Sequence, residues 1–211
     1  MDGLLIDTEP FWQKTERQVL RKKGIEISPD LQKHTFGLRT DEQIKYWYHL
    51  KPWSNPSFEK DKEEYDAIML EFFRRDATLM DGAGYILRFF KEKKLPLALA
   101  SSSSLILIKA FVDRFGLKKY FDVLHSAENE EYGKPHPAVY ITTAKKLRIN
   151  PSSCLAFEDS FNGLLAAKSA RMKAVIVPDH RTGYMDKFEI ADLKISSLLE
   201  FGEKELQLLK Q

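Results

Sequence analysis

The segment CLAFEDSFNGLLAAKSARMKAVIV, Cys154 to Val177, sets the fold class. It holds two short apolar runs, Cys154–Phe157 and Ala174–Val177, around a small-residue helical pattern carrying Leu164, Ala167 and Ala170. A continuous apolar run of this length suits a strand buried on both faces, and a helix between two such strands makes a parallel βαβ unit. The same alternation extends in both directions. Upstream, Leu95–Ala100 ends in Ser101–Ser104, and Leu105, Ile108, Val112 and Phe115 follow at helical spacing. Val123-Leu124 precedes a polar loop, and Pro137 opens a helix that runs to about Leu147. Downstream, Leu193 to Ile195 forms a last short strand. The expected fold is α/β, a Rossmann-like parallel sheet with helices on both faces.

Residues 10–80 break this rhythm, with three helical patterns and no good strand. Thr40 and Gln43 have capping-box spacing at the start of the second helix. The breaker-rich stretch Lys51–Ser57 separates it from a third helix over Phe58 to Arg75, and Asp81-Gly82-Ala83-Gly84 is the hinge back. The expected organisation is an α/β core, 1–9 and 81–211, with a helical cap inserted at 10–80 over its active edge.

The 211 residues are enough to bury a core without covalent staples. Lys and Arg number 33 against 31 Asp and Glu, and the basic residues are scattered, so no nucleic-acid or membrane-surface footprint is expected. No apolar run reaches the ~20 residues of a membrane span, and the acidic first residues do not read as a signal peptide. The one cysteine, Cys154, excludes an internal disulfide and a thiolate cage. It is expected buried in a strand, and a cytoplasmic monomer is the simplest home.

In an open parallel sheet, ligands gather at the carboxyl ends of the strands. The polar residues there are Ser101–Ser104, the 128–136 loop with Lys134, and Glu158-Asp159-Ser160, to which Met1-Asp2-Gly3 is added. Carboxylates suit Mg²⁺, which shares hard oxygen ligands with substrate phosphate, and lysine and hydroxyl donors suit phosphoryl oxygens. Each piece alone has an ordinary reading. A Glu-Asp after a strand is commonly a helix N-cap, Gly133-Lys134-Pro135 a surface turn, and a serine run a loop. Their shared position at strand ends favours chemistry. The histidines 34, 49, 125, 136 and 180 lack metal-ligand spacing and are read as structural or surface residues, and Tyr46, Trp47 and Tyr48 as packing of the cap. Asn162 is expected to support the Asp159 loop, and Asp7 to seat the hinge.

MDGLLIDTEPFW (1–12), LALASSSS (97–104), YGKPHPAVY (132–140) and LAFEDSFNGLLAAKSARM (155–172) resemble, in order, the four motifs of the haloacid dehalogenase superfamily. The insert position is similar to that of its β-phosphoglucomutase-like branch. Within the branch, HTFGLRTDEQIKYWYHLKPWSNPS (34–57) resembles bacterial hexitol and 2-deoxyglucose-6-phosphate phosphatases. The resemblance implies Mg²⁺-dependent hydrolysis of a small sugar or sugar-alcohol phosphate through an aspartyl phosphate. It implies that Asp2 is the general acid and base, that Ser101 and the backbone of Ser102 hold phosphoryl oxygens, and that Lys134 neutralises their charge. Asp159 and Glu158 would hold the metal with the backbone carbonyl of Asp2. Gly37, Leu38 and Arg39 would form the substrate-reading loop, beside Trp12.

The family's nucleophilic aspartate would stand immediately before Met1, outside this sequence, as would the strand that carries it. A misplaced start, a shortened chain and a catalytically dead phosphosugar-binding protein all accommodate this. A phosphosugar mutase is the alternative enzyme, but the mutases of the branch carry a histidine where this chain has Trp12. Dehalogenases lack the aspartate that Asp2 supplies.

Overall fold

The computed structural model describes residues 1–179 and 186–210. Of the expectations above, only that for His180 lies outside them. Four helices come first: α1 (Glu9–Lys22), α2 (Pro29–Gln32), α3 (Thr40–Leu50) and α4 (Phe58–Arg75). There follow α5 (Ala83–Glu92), β1 (Ala98–Ser101), α6 (Leu105–Arg114), β2 (Val123–Ser126), α7 (Ala138–Leu147), β3 (Leu155–Glu158), α8 (Phe161–Ser169), β4 (Lys173–Ile176), β5 (Leu193–Lys194) and α9 (Glu203–Leu209).

All strand pairing between these elements is parallel. Alternate residues of β4 point to opposite faces: Val175 joins a core with Phe90, Ile108 and Phe111, whereas Ala174 and Ile176 join one with Val139, Ala144 and Leu164. That alternation puts helices on both sides of the sheet. Burying each of the Val, Leu, Ile and Phe side chains among these contributes about 1.5–3 kcal/mol.

The single sheet expected from the sequence is divided in two. One sheet pairs β1 with β2, and the other runs β3-β4-β5. β1 and β3 are each bonded on one side only, and both line an apolar cavity of 590 Å³ whose walls include Leu97, Leu99, Leu155, Phe157, Phe90 and Leu147. Met1, Leu4 and Leu5 also line it. Among the described residues no strand enters the space between β1 and β3.

Helices α1–α4 have small cores of their own, Leu20, Ile25, Ile27 and Trp47 in one, Val19, Ile44 and Tyr65 in another. The later residues of α4, Met69, Phe72 and Phe73, belong instead to the main core. The two crossings into and out of this segment run side by side, with Asp7 N donating to Thr78 O and Met80 N to Leu5 O. Gly82 starts α5 with φ +82°, where an added Cβ would lie 2.9 Å from the backbone of Leu199. Among the described residues no helix is long and apolar enough to cross a membrane.

Three local expectations are corrected. The α3 cap begins one residue early: the Arg39 N–H donates to Glu42 Oε2 at 3.2 Å, so Thr40 is already helical. Pro137 is the cap of α7, not its first residue. Cys154 is half-buried outside β3, because the turn Pro151–Ser153 holds its N–H and the strand starts at Leu155.

Candidate active site

The carboxyl ends of β1 and β3, Ser101 and Glu158, line one cleft. The turn at Met1–Ile6, in which Gly3 takes φ +63°, sets Asp2 beside them. A Cβ on Gly3 would fall 2.1 Å from Asp159 Oδ2, so only glycine lets that carboxylate approach the turn.

Asp2 is held from both sides. Its Oδ1 accepts from Thr8 Oγ1 at 2.8 Å and Trp12 Nε1 at 3.0 Å, and its Oδ2 from Ser103 Oγ at 2.7 Å and Ser101 Oγ at 3.4 Å. Lys134 Nζ lies 2.5 Å from Glu158 Oε1, both side chains almost fully buried. The Tyr140 hydroxyl donates to the same oxygen, and the Lys134 ammonium stands 5.1 Å above the Tyr140 ring. Burial favours a neutral Glu158, but the charge and hydrogen bond of Lys134 and the hydrogen bond of Tyr140 outweigh it and hold the carboxyl below its ordinary value. Burial, then the Glu158 charge, pushes the Tyr140 phenol well above its own, so it remains a donor.

The helix-cap reading of Glu158-Asp159 fails. Ser160 Oγ accepts from the Gly163 N–H at 3.1 Å and caps α8, which leaves the Asp159 carboxylate to the cleft. Burial and the neighbouring charges of Glu158 and Asp2 push that carboxyl up to about 7. A negative charge held at such cost is one a divalent cation would relieve, and the oxygens of Asp159, Glu158 and the Asp2 carbonyl are hard donors of the kind Mg²⁺ takes. Among the described residues no three His, Cys, Asp or Glu side chains form a metal cage. Asp2 is occupied by hydroxyl and indole donors, Glu158 by Lys134. Mg²⁺ commonly uses only one or two carboxylates, with phosphate and water completing its shell, so the donor set fits.

Above the strand ends, Glu9, Trp12, Gln13 and Glu16 follow each other at helical spacing and form one wall of the cleft with Gln32, Thr35 and Gln43. Gly37 and Leu38 line it too. The Ser102 hydroxyl donates to Gly37 O and Asn162 Nδ2 to Phe36 O, each at 2.9 Å, so Asn162 ties down this loop and not that of Asp159. Arg39 corrects the substrate-reading expectation. Its NH1 donates to Ala127 O at 3.0 Å and Glu130 O at 2.7 Å, and the guanidinium pairs with Asp41. Those acceptors turn it away from the cleft and make it a tie between helical segment and α/β part. His125, buried between Glu130 and Lys146, is likewise structural.

Sequence reasoning missed Thr8, Tyr140 and Glu16, and named Ser103 only as part of the strand-end run Ser101–Ser104. Thr8 stands next to a recognised position, Asp7. Tyr140 and Glu16 are polar groups on helix faces that are otherwise packed, and that mismatch was the available signal.

Residues 1–177 match the haloacid dehalogenase-like hydrolase family. Hexitol phosphatase B of Escherichia coli K12 is 39% identical over 211 residues, covering 98% of this chain and 93% of that one. The structure of CbbY from Rhodobacter sphaeroides in complex with phosphate superposes with a TM-score of 0.86 at 22% identity, covering 100% of this chain and 96% of that one. β-Phosphoglucomutase from Clostridium difficile gives 0.85 at 24%, with 98% and 92% covered. At those identities the two structures speak for the fold alone.

Proposed function

The chain belongs to the haloacid dehalogenase-like hydrolases, and from that premise we propose that it hydrolyses monophosphates of small sugars or sugar alcohols, with Mg²⁺ and through an aspartyl phosphate. The observation that carries this reading is Asp2, oriented by four donors at the mouth of a cleft that also holds Lys134 and Asp159. The 39% identical relative is named a hexitol phosphatase, which supports the substrate class.

In this reading Ser101 Oγ and the Ser102 N–H hold the phosphoryl oxygens, and the Lys134 ammonium neutralises their charge. Asp2 gives a proton to the leaving oxygen and later takes one from water. Asp159, Glu158 and the Asp2 carbonyl would hold Mg²⁺, which when bound withdraws charge from the phosphoryl group. Helices α1–α4 act as a cap, with the 36–37 loop pinned to Ser102 and Asn162 across the cleft. Trp12, which donates to Asp2, stands where the mutases of the branch carry a histidine, and an indole has no acid–base function, which favours hydrolysis over phosphoryl return. A cytoplasmic location is part of the same proposal, supported by the single cysteine, and a monomer is proposed with it.

The proposed nucleophile is an aspartate at the position before Met1. It would lie on a strand filling the 590 Å³ cavity and bonding both β1 and β3. Alternate residues of a strand point the same way, so this carboxylate and Asp2 would face one phosphoryl group. The cavity's apolar lining, and Met1 at its wall, support this placement. The test compares the chain starting at Met1 with one in which an apolar strand ending in Asp precedes it. The longer form should release phosphate from sorbitol 6-phosphate at roughly 1–10³ s⁻¹ with Mg²⁺ and lose this in EDTA, and the shorter should show none. Equal turnover by both would refute the nucleophile's position, and no turnover of any phosphomonoester by either would refute the function.

A further inference from the structure

The two walls of the cleft differ in chemistry. The α/β wall carries the hydroxyls of Ser101 and Ser103, the Lys134 ammonium and the carboxylates already described. The helical wall carries Glu9, Gln13, Glu16, Gln32, Thr35 and Gln43, and no residue lining it is cationic. Among the described residues, Lys134 is the one Lys or Arg that lines the cleft.

The helical wall is also held in place from behind. Glu16, 4% exposed, accepts through Oε1 from Trp47 Nε1 at 2.6 Å and Thr35 Oγ1 at 2.9 Å, and through Oε2 from Gln32 Nε2 at 2.6 Å. Gln32 is locked in turn by the Gln13 carbonyl and by the Arg17 guanidinium. Gln43 Nε2 donates to Thr35 O and Leu38 O, and Gln13 Nε2 to Glu9 Oε1. Those bonds consume donors. Gln13 keeps one N–H, and the larger remainder is acceptor capacity: Gln13 Oε1, Gln43 Oε1 and the second lone pair of Glu16 Oε2.

We infer that this wall is a polyol subsite, in which Glu16, Gln13 and Gln43 accept hydrogen bonds from the hydroxyl groups of an uncharged chain whose far end carries neither a second phosphate nor a carboxylate. A hydroxyl brings the donor that these acceptors lack. A phosphate or carboxylate brings only acceptors and a negative charge, with no cation to meet it and the Glu16 carboxylate beside it. The inference rests on the phosphatase reading and narrows it to monophosphates with a free hydroxylated tail. Glu16 is its specificity-determining residue, because its position is fixed before the ligand arrives.

The test is equilibrium binding by calorimetry, which requires no turnover, on the 211-residue chain with Mg²⁺. The probes are sorbitol 6-phosphate, n-hexyl phosphate and fructose 1,6-bisphosphate. Sorbitol 6-phosphate should bind about tenfold more tightly than hexyl phosphate, the scale of one good hydrogen bond to a charged group, and the bisphosphate more weakly than sorbitol 6-phosphate. Glu16→Gln should reduce the sorbitol preference to within about threefold while leaving hexyl phosphate unchanged. Equal binding of sorbitol and hexyl phosphates to the wild type would overturn the subsite whatever the variant does. So would tighter binding of the bisphosphate, or an equal loss on both monophosphates in Glu16→Gln. No binding of any of the three, either by this chain or by the form with the upstream strand, would instead overturn the phosphatase reading on which the subsite rests.

Discussion

The indole N–H of Trp12 donates to Asp2 Oδ1 at 3.0 Å, joining a residue of the first helix to an acid at the strand ends. With Thr8 on the same oxygen and Ser103 on the other, the orientation of Asp2 depends on both walls of the cleft at once. Replacing Trp12 with Phe removes the donor and keeps an aromatic ring. In the turnover-competent form, kcat should fall about 10- to 100-fold, matching the 1.5–3 kcal/mol of a hydrogen bond to a charged group. KM should change little. Steady-state kinetics separate the two, and a rise in KM with unchanged kcat would show that Trp12 binds sugar without orienting Asp2.

Tyr140→Phe removes the hydroxyl that shares Glu158 Oε1 with Lys134. The buried carboxylate keeps its cation, so the loss should be about 1.5–3 kcal/mol in urea unfolding. Lys134→Met removes the ammonium paired with the buried Glu158 and should cost more, about 3–5 kcal/mol. If the two variants are equally stable, Lys134 and Glu158 do not form the pair seen here.

Arg39→Ala should behave as the loss of a structural tie. Its guanidinium bonds the carbonyls of Ala127 and Glu130, not the cleft. Stability should fall by about 2–3 kcal/mol, and kcat/KM should fall by the same factor for sorbitol 6-phosphate and for a small aryl phosphate. A selective loss on the sugar phosphate would return Arg39 to the substrate-reading loop.

Asp192 links pH to the sheet. Burial opposes its charge, but Lys168 Nζ and the Ala174 N–H, at 2.5 and 2.7 Å, outweigh burial and hold the carboxyl below its ordinary 3.8. A carboxyl lowered on folding contributes stability that is present above its unfolded value and disappears as pH falls through its folded one. Asp192→Asn should therefore unfold at lower urea than the wild type at about pH 7, and the two curves should converge as pH drops below about 3.8. A difference that persists unchanged into acid would mean that the Asp192 charge is not what the sheet uses.

The apolar runs of Leu97–Ala100, Leu155–Phe157 and Ala174–Val177 announce parallel strands by themselves, because a strand covered on both faces has nowhere to put a polar side chain. Parallel strands with helical crossovers end on one edge, so the meeting of Asp2, Ser101, Lys134, Glu158 and Asp159 was also implicit in their order. Local pattern carries no information about which polar atom finds which. A hydrogen bond requires its atoms within about 3 Å, and that proximity is set by the packing of elements distant in sequence. For that reason Arg39, adjacent to the cleft in sequence, turns to Ala127 and Glu130, while Glu16, unremarkable within an amphipathic helix, becomes a fixed acceptor on the cleft wall. The same holds for the sheet. Each run shows that it is a strand, but only the packing of α5, α7 and α9 around β1 and β3 reveals that the two stand apart, with an apolar cavity between their unpaired edges.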